Sequence, residues 1–238
     1  MDFNDKNILV VGGSSGIGLS LVKLLLINGA TVYNLSRTAS GEWPGNVQHT
    51  NIDVLGDISL LPELLPDKLH GLVYAVGSIN LKPFNRLTEE DFLRDYKLNV
   101  LGAVKIIQMG LKSLKNSGSA SIVLISSVAA RTGMSFHASI ASAKSGVEGL
   151  ALTLAAELAP NQIRVNVVAP SLTDTPLAHN LLSTPEKKEA SAKRHPLGKF
   201  GNPDDISNAI AFLLSSESSW MTGQVIGIDG GIGKLKSN

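Results

Sequence analysis

The 238-residue chain is predicted to be an α/β protein, with a doubly wound parallel sheet covered by helices on both faces. Short β-branched runs alternate with longer segments of helical periodicity, which is the pattern of repeated βαβ units. Hydrophobic residues form 43% of the chain and charged residues 17%, so a large core can be buried. We expect a single domain over residues 1–238, because no linker-like or low-complexity segment divides the chain.

The first half of the chain is predicted to contain four strands and two helices. Apolar and β-branched residues dominate each predicted strand, and turn-forming residues lie between the elements. Gly29 ends the first helix in this prediction, since glycine favours a helix C-terminus. The elements are expected at Ile8–Val11 (strand), Ile17–Asn28 (helix), Thr31–Leu35 (strand), Val47–Ile52 (strand), Leu60–Leu65 (short helix) and Leu72–Val76 (strand).

The second half is predicted to begin with a long helix. Thr88 is suited to cap this helix, and the three acids that follow it lie at the positive end of the helix dipole. Residues 171–201 are polar and interrupted by prolines, and we interpret them as a mobile lid over a substrate. The elements are expected at Thr88–Leu114 (helix), Ser121–Ile125 (strand), Ser139–Ala159 (helix), Ile163–Ala169 (strand), from Pro203 (helix) and at Val225–Ile228 (strand).

Charge and composition exclude several classes of partner and site. With 21 Lys and Arg against 20 Asp and Glu, the formal net charge is +1, which gives no electrostatic basis for binding nucleic acid or an anionic membrane surface. The absence of Cys excludes disulfides, thiolate catalysis and Cys-ligated metals. The five His are scattered, so no metal site is expected. The first residues resemble neither a secretory signal nor a membrane span, and we expect a cytoplasmic protein.

A glycine-rich motif follows the first predicted strand and opens the first helix. Gly12, Gly16 and Gly18 give the spacing G-x-x-x-G-x-G, with Ser14, Ser15 and Ile17 between them. Glycines at a strand–turn–helix junction let the backbone approach a pyrophosphate, whose charge is met by free N–H groups and the helix dipole. The motif therefore predicts a nucleotide site, against the alternative of a turn that only packs helix on strand.

Together with motifs spread over nearly the whole chain, this segment resembles the short-chain dehydrogenase/reductase family. The family's first motif is TGxxxGxG, and Val11 replaces its Thr. Further similar segments are Asn99-Val100-Leu101-Gly102, Ser126-Ser127, Ile163-Arg164-Val165-Asn166 with Ala169-Pro170, and Asp229-Gly230-Gly231. The resemblance implies a Rossmann fold and a nicotinamide cofactor. Ser171 stands where the family usually has Gly.

The end of the second strand favours NADP(H) over NAD(H). An acid there would hydrogen-bond the ribose hydroxyls and repel a 2′-phosphate, whereas this chain has Ser36 and Arg37. A guanidinium beside a hydroxyl suits a phosphate; the alternative is that Arg37 is an ordinary surface residue. The resemblance implies further cofactor contacts from Asp53, Val54, Ala75, Val76, Gly77, Lys144, Pro170, Thr173 and Thr175.

The catalytic residues are implied by the resemblance, with one departure. In the family a Tyr-x-x-x-Lys pair, a Ser and an Asn act together: Tyr donates the proton, Ser orients the substrate oxygen, and Asn holds a water on the proton path. These supporting roles fall to Lys144, Ser127 and Asn99. Ser127 precedes position 140 by 13 residues, the family's usual Ser–Tyr separation, but position 140 is Ile, which can neither donate nor accept a proton.

Three interpretations follow from Ile140. The first is an oxidoreductase that interconverts a carbonyl and an alcohol on a small-molecule substrate with another proton donor: His137, one helical turn earlier, or Tyr74. Either could instead be structural, His137 as a solvent-facing residue and Tyr74 in the core. The second is a catalytically silent NADP(H)-binding sensor or partner subunit. In the third, which nothing in the sequence specifically supports, Lys144 acts as a base in an isomerisation or elimination.

Two further expectations concern the lid and the assembly. His195 lies in a charged part of the lid, and we expect it to have a structural or solvent-facing role. The helices at Thr88–Leu114 and Ser139–Ala159 carry more apolar and small residues than one sheet face needs. In the family such helices pack across subunits, so the resemblance implies a homotetramer, or failing that a homodimer.

Overall fold

A computed structural model describes residues 1–235 and contains a seven-stranded parallel sheet. The strands lie in the order β3-β2-β1-β4-β5-β6-β7. Their bounds are β1 Asn7–Val11, β2 Thr31–Ser36, β3 Gln48–Asn51, β4 Gly71–Tyr74, β5 Ala120–Ile125, β6 Ile163–Pro170 and β7 Val225–Ile228. The predicted doubly wound parallel sheet is confirmed.

Seven α-helices connect and cover these strands in the described part of the chain. Their bounds are α1 Gly16–Ile27, α2 Leu61–Leu64, α3 Glu89–Tyr96, α4 Gly102–Asn116, α5 Ala138–Leu158, α6 Pro185–Lys193 and α7 Pro203–Leu214. Short 3-10 turns lie at Phe84–Arg86, Val128–Ala130, Ala159–Asn161, Pro176–Leu181 and Ser216–Ser218. Within residues 1–235, no helix combines the length and apolarity needed to cross a membrane.

Two apolar clusters fill the space between the sheet and the helices, one on each face of the sheet. On one face, α1 and α7 pack against the sheet through residues such as Leu21 and Ile210. On the other, α4 and α5 do so through residues such as Ile106 and Val147. Because both faces are covered, the central strands are almost wholly buried, as expected for a parallel sheet.

The strand order reverses between β1 and β4, which positions the functional site. Val11 is paired with Leu35 of β2 on one side and with Tyr74 of β4 on the other. The chain leaves β1 toward one side of the sheet and leaves β4 toward the other, so a crevice opens at the carboxyl ends of these strands. The Gly12 N–H donates to the Leu35 carbonyl at 2.7 Å, which fixes the start of the glycine loop on this edge.

The helix predicted at Thr88–Leu114 differs most from the observed structure. Its start is as predicted: the Thr88 hydroxyl accepts from the Asp91 N–H at 3.3 Å, and the Asp91 carboxylate accepts from the Thr88 N–H at 3.0 Å. One turn of π-helix at Lys97–Leu101, however, separates α3 from α4. The Tyr74 hydroxyl donates to the Leu98 carbonyl in this turn at 2.6 Å, and it therefore contacts the segment that bears Asn99.

Candidate active site

The glycine loop is built so that its backbone is exposed to a ligand. Gly12 and Gly16 have positive φ angles of 92° and 53°, which residues with a Cβ rarely adopt. A Cβ at Gly12 would lie 3.2 Å from the Ala75 carbonyl group at the end of β4. A Cβ at Gly18 would overlap the Gly12 carbonyl oxygen, so only glycine allows the helix to pack this closely on the loop.

Helix α1 presents its N-terminus at this loop. Ser15 is extended, with φ −156° and ψ 167°, and its side chain does not cap the helix. No acid occupies the first turn of α1. The N–H groups of that turn and the positive end of the dipole are therefore available to an anion beside Ser14, Ser15 and Ile17.

The glycine loop contacts the end of β2, where the ribose of the adenosine is predicted to bind. The Asn34 amide oxygen accepts from the Gly13 N–H at 2.8 Å, and its NH₂ group donates to the Ser36 hydroxyl at 2.8 Å. Ser36 in turn donates to the Thr38 carbonyl at 2.8 Å, so its proton is used within the loop. Arg37 is exposed at the same edge. A phosphate here would therefore be met chiefly by Arg37.

The two residues predicted beside the adenine ring differ in their surroundings. Asp53 is exposed, and its carboxylate accepts from the Leu55 N–H at 3.0 Å. Val54 is 5% exposed and belongs to the apolar core, where it lies beside Gly102. Its side chain is therefore used for packing.

A cavity of about 270 Å³ lies next to the glycine loop at the carboxyl ends of the strands. Its wall is mostly apolar and includes Ile17, Ala75, Val76, Gly77 and Pro170 from the predicted cofactor contacts. The wall also includes Thr173 and Thr175; a Cβ at Gly16 would lie 3.2 Å from the Thr175 Cβ, so this lid residue contacts the loop closely. Other polar or titratable groups on the wall are Ser78, Ser126, Ser127, His137, Lys144, Ser171, Arg194 and His195.

Lys144 and Asn99 both lie next to Gly77. A Cβ at Gly77 would lie 3.4 Å from both the Lys144 Nζ and the Asn99 Oδ1, in van der Waals contact with each. Lys144 is buried and donates to the Ile125 carbonyl at 2.8 Å. Burial lowers the pKa of Lys144 to about 8, and Asp95 opposes that shift.

Asn99 is held by the π-helical turn with one polar atom free. Its NH₂ group donates to the Asp95 carbonyl at 2.8 Å and to the Ser78 hydroxyl at 3.2 Å. Its Oδ1 is buried and accepts no hydrogen bond from the described residues. A buried acceptor beside a lysine is suited to a further proton carrier or ligand group.

Ser127 and Ile140 lie on the same cavity wall as Lys144. The Ser127 hydroxyl accepts from the Ala129 N–H at 3.2 Å and begins the 3-10 turn after β5. Ile140 is 5% exposed in the first turn of α5, one turn before Lys144. Position 140 thus presents an aliphatic side chain to the cavity, whose wall also includes Ser127 and Lys144, while Asn99 lies behind Gly77 of that wall.

The two proton donors considered from the sequence occupy different places. Tyr74 is wrong as a candidate: its side chain is 3% exposed, and its hydroxyl donates to the Leu98 carbonyl away from the cavity. Burial, reinforced by Asp53, raises the pKa of the Tyr74 phenol. His137 is half-buried on the cavity wall, and its Nδ1 lies 2.7 Å from the Ser135 carbonyl oxygen.

Sequence reasoning missed a buried histidine on this wall. His195 is 3% exposed and lines the cavity, so the solvent-facing alternative is wrong, while the structural alternative stays a prediction. Its Nε2 lies 2.9 Å from the Ser171 hydroxyl. The only signal in the sequence was Ser171 itself, which stands where the family usually has Gly.

Comparisons with known proteins agree with this geometry. A family profile described as enoyl-(acyl carrier protein) reductase matches residues 61–233. A tropinone reductase homolog of Arabidopsis thaliana is 36% identical, and the match covers 95% of this chain and 92% of the relative. The chain belongs to the short-chain dehydrogenase/reductase family. The 3-oxoacyl-(acyl carrier protein) reductase of Thermotoga maritima is also 36% identical, over 98% of this chain and 99% of its own length.

Solved structures show the same fold over almost the full length. A short-chain type dehydrogenase/reductase from Mycobacterium ulcerans matches with a TM-score of 0.90 and 29% identity, covering 100% of this chain and 93% of that chain. A Tyr-to-Phe variant of ElxO with NADPH bound matches with a TM-score of 0.86 and 27% identity, covering 95% of this chain and 98% of that chain. The family binds nicotinamide cofactors, and the crevice described above has the form that such a cofactor requires.

Proposed function

We propose that this protein is an NADP(H)-dependent oxidoreductase that interconverts a carbonyl and an alcohol on a small molecule, with a proton donor other than tyrosine. The observation that carries the proposal is that Ser127 and Lys144 line one cavity next to the glycine loop, while Asn99 lies behind Gly77 of the same wall. A protein that only binds nucleotide has less need of Ser127 and Asn99 together.

The residues at the crevice fit a dinucleotide. The backbone from Gly12 to Gly18 would hold the pyrophosphate at the start of α1, and Arg37 would bind the 2′-phosphate. Lys144 would contact the nicotinamide ribose, with Thr173 and Thr175 at the carboxamide. When bound, the nicotinamide supplies or accepts a hydride. The NADPH-bound relative supports the preference for NADP(H).

In this proposal Ser127 orients the substrate oxygen and the buried Lys144 supplies positive charge beside it. Both act in a cavity from which much water is excluded, where a hydrogen bond to developing negative charge is worth more than in water. Residues 171–201 act as the lid, since Leu177 and Leu181 lie on the cavity wall. The mostly apolar wall favours a substrate with an apolar body.

The names of the relatives support carbonyl chemistry and leave the substrate open. They include tropinone reductase homologs, 3-oxoacyl-(acyl carrier protein) reductase and L-xylulose reductase.

We further propose a cytoplasmic homotetramer or homodimer. Exposed apolar residues on the segment from α3 to α4, among them Leu93, Tyr96 and Leu101, offer a surface for subunit contact.

One observation favours a second candidate, a silent NADP(H)-binding sensor or partner subunit. Ile140 is buried at the wall position where the family's tyrosine stands, and it carries no proton. A protein that had lost turnover while keeping its cofactor would have this combination of features.

Deuterium transfer separates the two candidates. The protein is incubated with NADPH deuterated at either face of C4 and with a panel of ketones and aldehydes, and products are analysed by mass spectrometry. We expect a deuterated alcohol from one of the two labelled cofactors. Tight NADPH binding without transfer to any carbonyl would instead identify the silent binder.

A further inference from the structure

A hydroxyl and an imidazole form a hydrogen-bonded pair on the cavity wall, and neither has a role in the family-like set of Ser127, Asn99 and Lys144. The Ser171 Oγ and the His195 Nε2 are 2.9 Å apart, although 24 residues separate them in the chain. Both side chains line the cavity that also contains Ser127, Ile140 and Lys144. The pair therefore shares one cavity with the residues to which the proposed function assigns the substrate oxygen.

The second nitrogen of His195 determines which proton the ring carries. Its Nδ1 lies 2.7 Å from the Ser191 carbonyl oxygen, which can only accept. In the neutral ring Nδ1 therefore bears the hydrogen, and Nε2 accepts from the Ser171 hydroxyl. A serine, a histidine and a group that orients the histidine form a relay of the kind used to move protons.

Both residues of the pair are held firmly. Ser171 directly follows β6, and its carbonyl accepts from the Thr173 hydroxyl at 3.0 Å. His195 is buried between the end of α6 and the turn after β7. A Cβ at Gly230 would lie only 3.4 Å from the His195 ring, so the glycine there allows close packing.

We propose that Ser171 is the catalytic residue that exchanges a proton with the substrate oxygen, and that His195 is the positioning residue that supplies and receives that proton through it. This inference rests on the proposed oxidoreductase function. It assigns the role of proton donor, which Ile140 cannot fill.

The proton balance is complete in both directions. In reduction, the carbonyl carbon gains a hydride, the oxygen takes the Ser171 hydroxyl proton, and Ser171 takes the Nε2 proton of the charged imidazole. The imidazole is left neutral and regains a proton from water. In oxidation each transfer is reversed, and the neutral Nε2 is already oriented to accept the Ser171 proton.

The charged and titratable groups around the pair come from several elements. Arg194 precedes His195 in the chain and lies on the cavity wall, where Lys144 and His137 also lie. Asp229 belongs to the turn that packs on His195 through Gly230, and its carboxylate accepts from the Gly231 and Gly233 N–H groups. Lys144 already donates to the Ile125 carbonyl. Histidine changes charge between pH 5 and 8, so pH is the direct probe of the relay.

The test compares Ser171→Gly and His195→Gln with the native protein over pH 5 to 9. We expect each variant to lower kcat on the order of 100-fold, the usual size of a lost acid–base group, with NADPH affinity unchanged. The pH dependence of kcat between 5 and 8 should disappear in His195→Gln, and Ser171→Thr should restore part of the Ser171→Gly loss. His70→Gln, a half-buried histidine just before β4 and outside the cavity wall, is the matched control.

Imidazole nitrogen NMR of the cofactor-free protein gives a reading independent of activity. We expect the Nδ1–H form for neutral His195 and a changed Nε2 shift in Ser171→Gly. Native-like kcat in Ser171→Gly, or a pH dependence that persists in His195→Gln and vanishes in His137→Gln, would overturn the relay while leaving the oxidoreductase function intact. Absence of turnover in the native protein would overturn both.

Discussion

The crevice has two halves, one proposed for the cofactor and one for the substrate, and they differ in whether backbone or side-chain groups form them. The proposed cofactor half is formed largely by backbone: glycines at positive φ, the N–H groups of α1 and the carbonyl at the end of β4, with side chains such as Arg37 and Thr175 added at its ends. The proposed substrate half is formed by side chains: Ser127, the aliphatic Ile140, the Ser171–His195 pair and Lys144, which it shares with the cofactor half. The glycines of this loop allow few substitutions, because a Cβ at Gly18 would overlap the Gly12 carbonyl oxygen and because Gly12 and Gly16 have positive φ angles. A site made of side chains can lose one member and still keep proton-carrying groups around the same cavity.

The largest effect should come from Gly18→Ala in the cofactor half. The new Cβ would overlap the Gly12 carbonyl oxygen, so the loop must shift or the helix must move away. Overpacking of this kind costs about 1–3 kcal/mol, which corresponds to a loss of NADPH affinity of roughly 5- to 140-fold if the loop absorbs the cost. Isothermal titration with NADPH measures it.

Gly149→Ala is the matched control for that change. Gly149 lies in the middle of α5, and its Cβ would have no neighbour within 4 Å among the described residues. Alanine there should leave NADPH affinity unchanged and stabilise the helix by roughly 0.5–1 kcal/mol. Equal NADPH affinities for Gly18→Ala and the native protein would show that the loop does not hold the cofactor as described.

Lys144→Met should separate cofactor affinity from stability. The folded-state pKa of Lys144 is about 8, below the ordinary value of 10.5, so the unfolded chain binds more protons between these two pH values. The free energy of unfolding of the native protein should therefore rise from pH 8 toward 10.5, and this rise should be absent in Lys144→Met. At pH 7 the variant should unfold at a higher temperature and bind NADPH more weakly.

Thermal unfolding from pH 6 to 10, together with NADPH titrations, tests this prediction. A variant that is less stable than the native protein at pH 7 would mean that the bond to the Ile125 carbonyl outweighs the cost of burying the ammonium. An unchanged NADPH affinity would place Lys144 outside the cofactor site.

Arg37→Asp, at the edge of the cofactor half, should have a smaller effect on NADPH affinity. Arg37 is exposed, and the neighbouring Ser36 uses its proton within the loop, so the guanidinium is the main group left for a 2′-phosphate. Loss of this charge-assisted contact should weaken NADPH by about 10-fold or more and bring its affinity closer to that of NADH. Arg86→Asp, at another exposed arginine, changes the net charge equally and should leave the ratio of the two affinities unchanged.

Features that depend on neighbouring residues in the chain could be predicted from the sequence, whereas contacts between distant residues could not. β7 was predicted at its observed bounds, and β1 and β2 within one residue, because runs of β-branched residues between turn-forming residues mark where a strand begins and ends. The glycine loop was predictable for the same reason. Contacts between residues far apart in the chain were not: the hydroxyl of Tyr74 turned to the Leu98 carbonyl, and His195 met Ser171. The π-helical turn at Asn99 also had no local signal that distinguished it from a continuous helix.

The most direct test of the account is NADPH oxidation by the native protein and by Ile140→Tyr, assayed side by side on the same carbonyl panel. The account predicts that the native protein turns over and that its rate depends on pH between 5 and 8. Turnover by Ile140→Tyr alone would contradict it and would identify the native protein as a nucleotide binder without a proton donor.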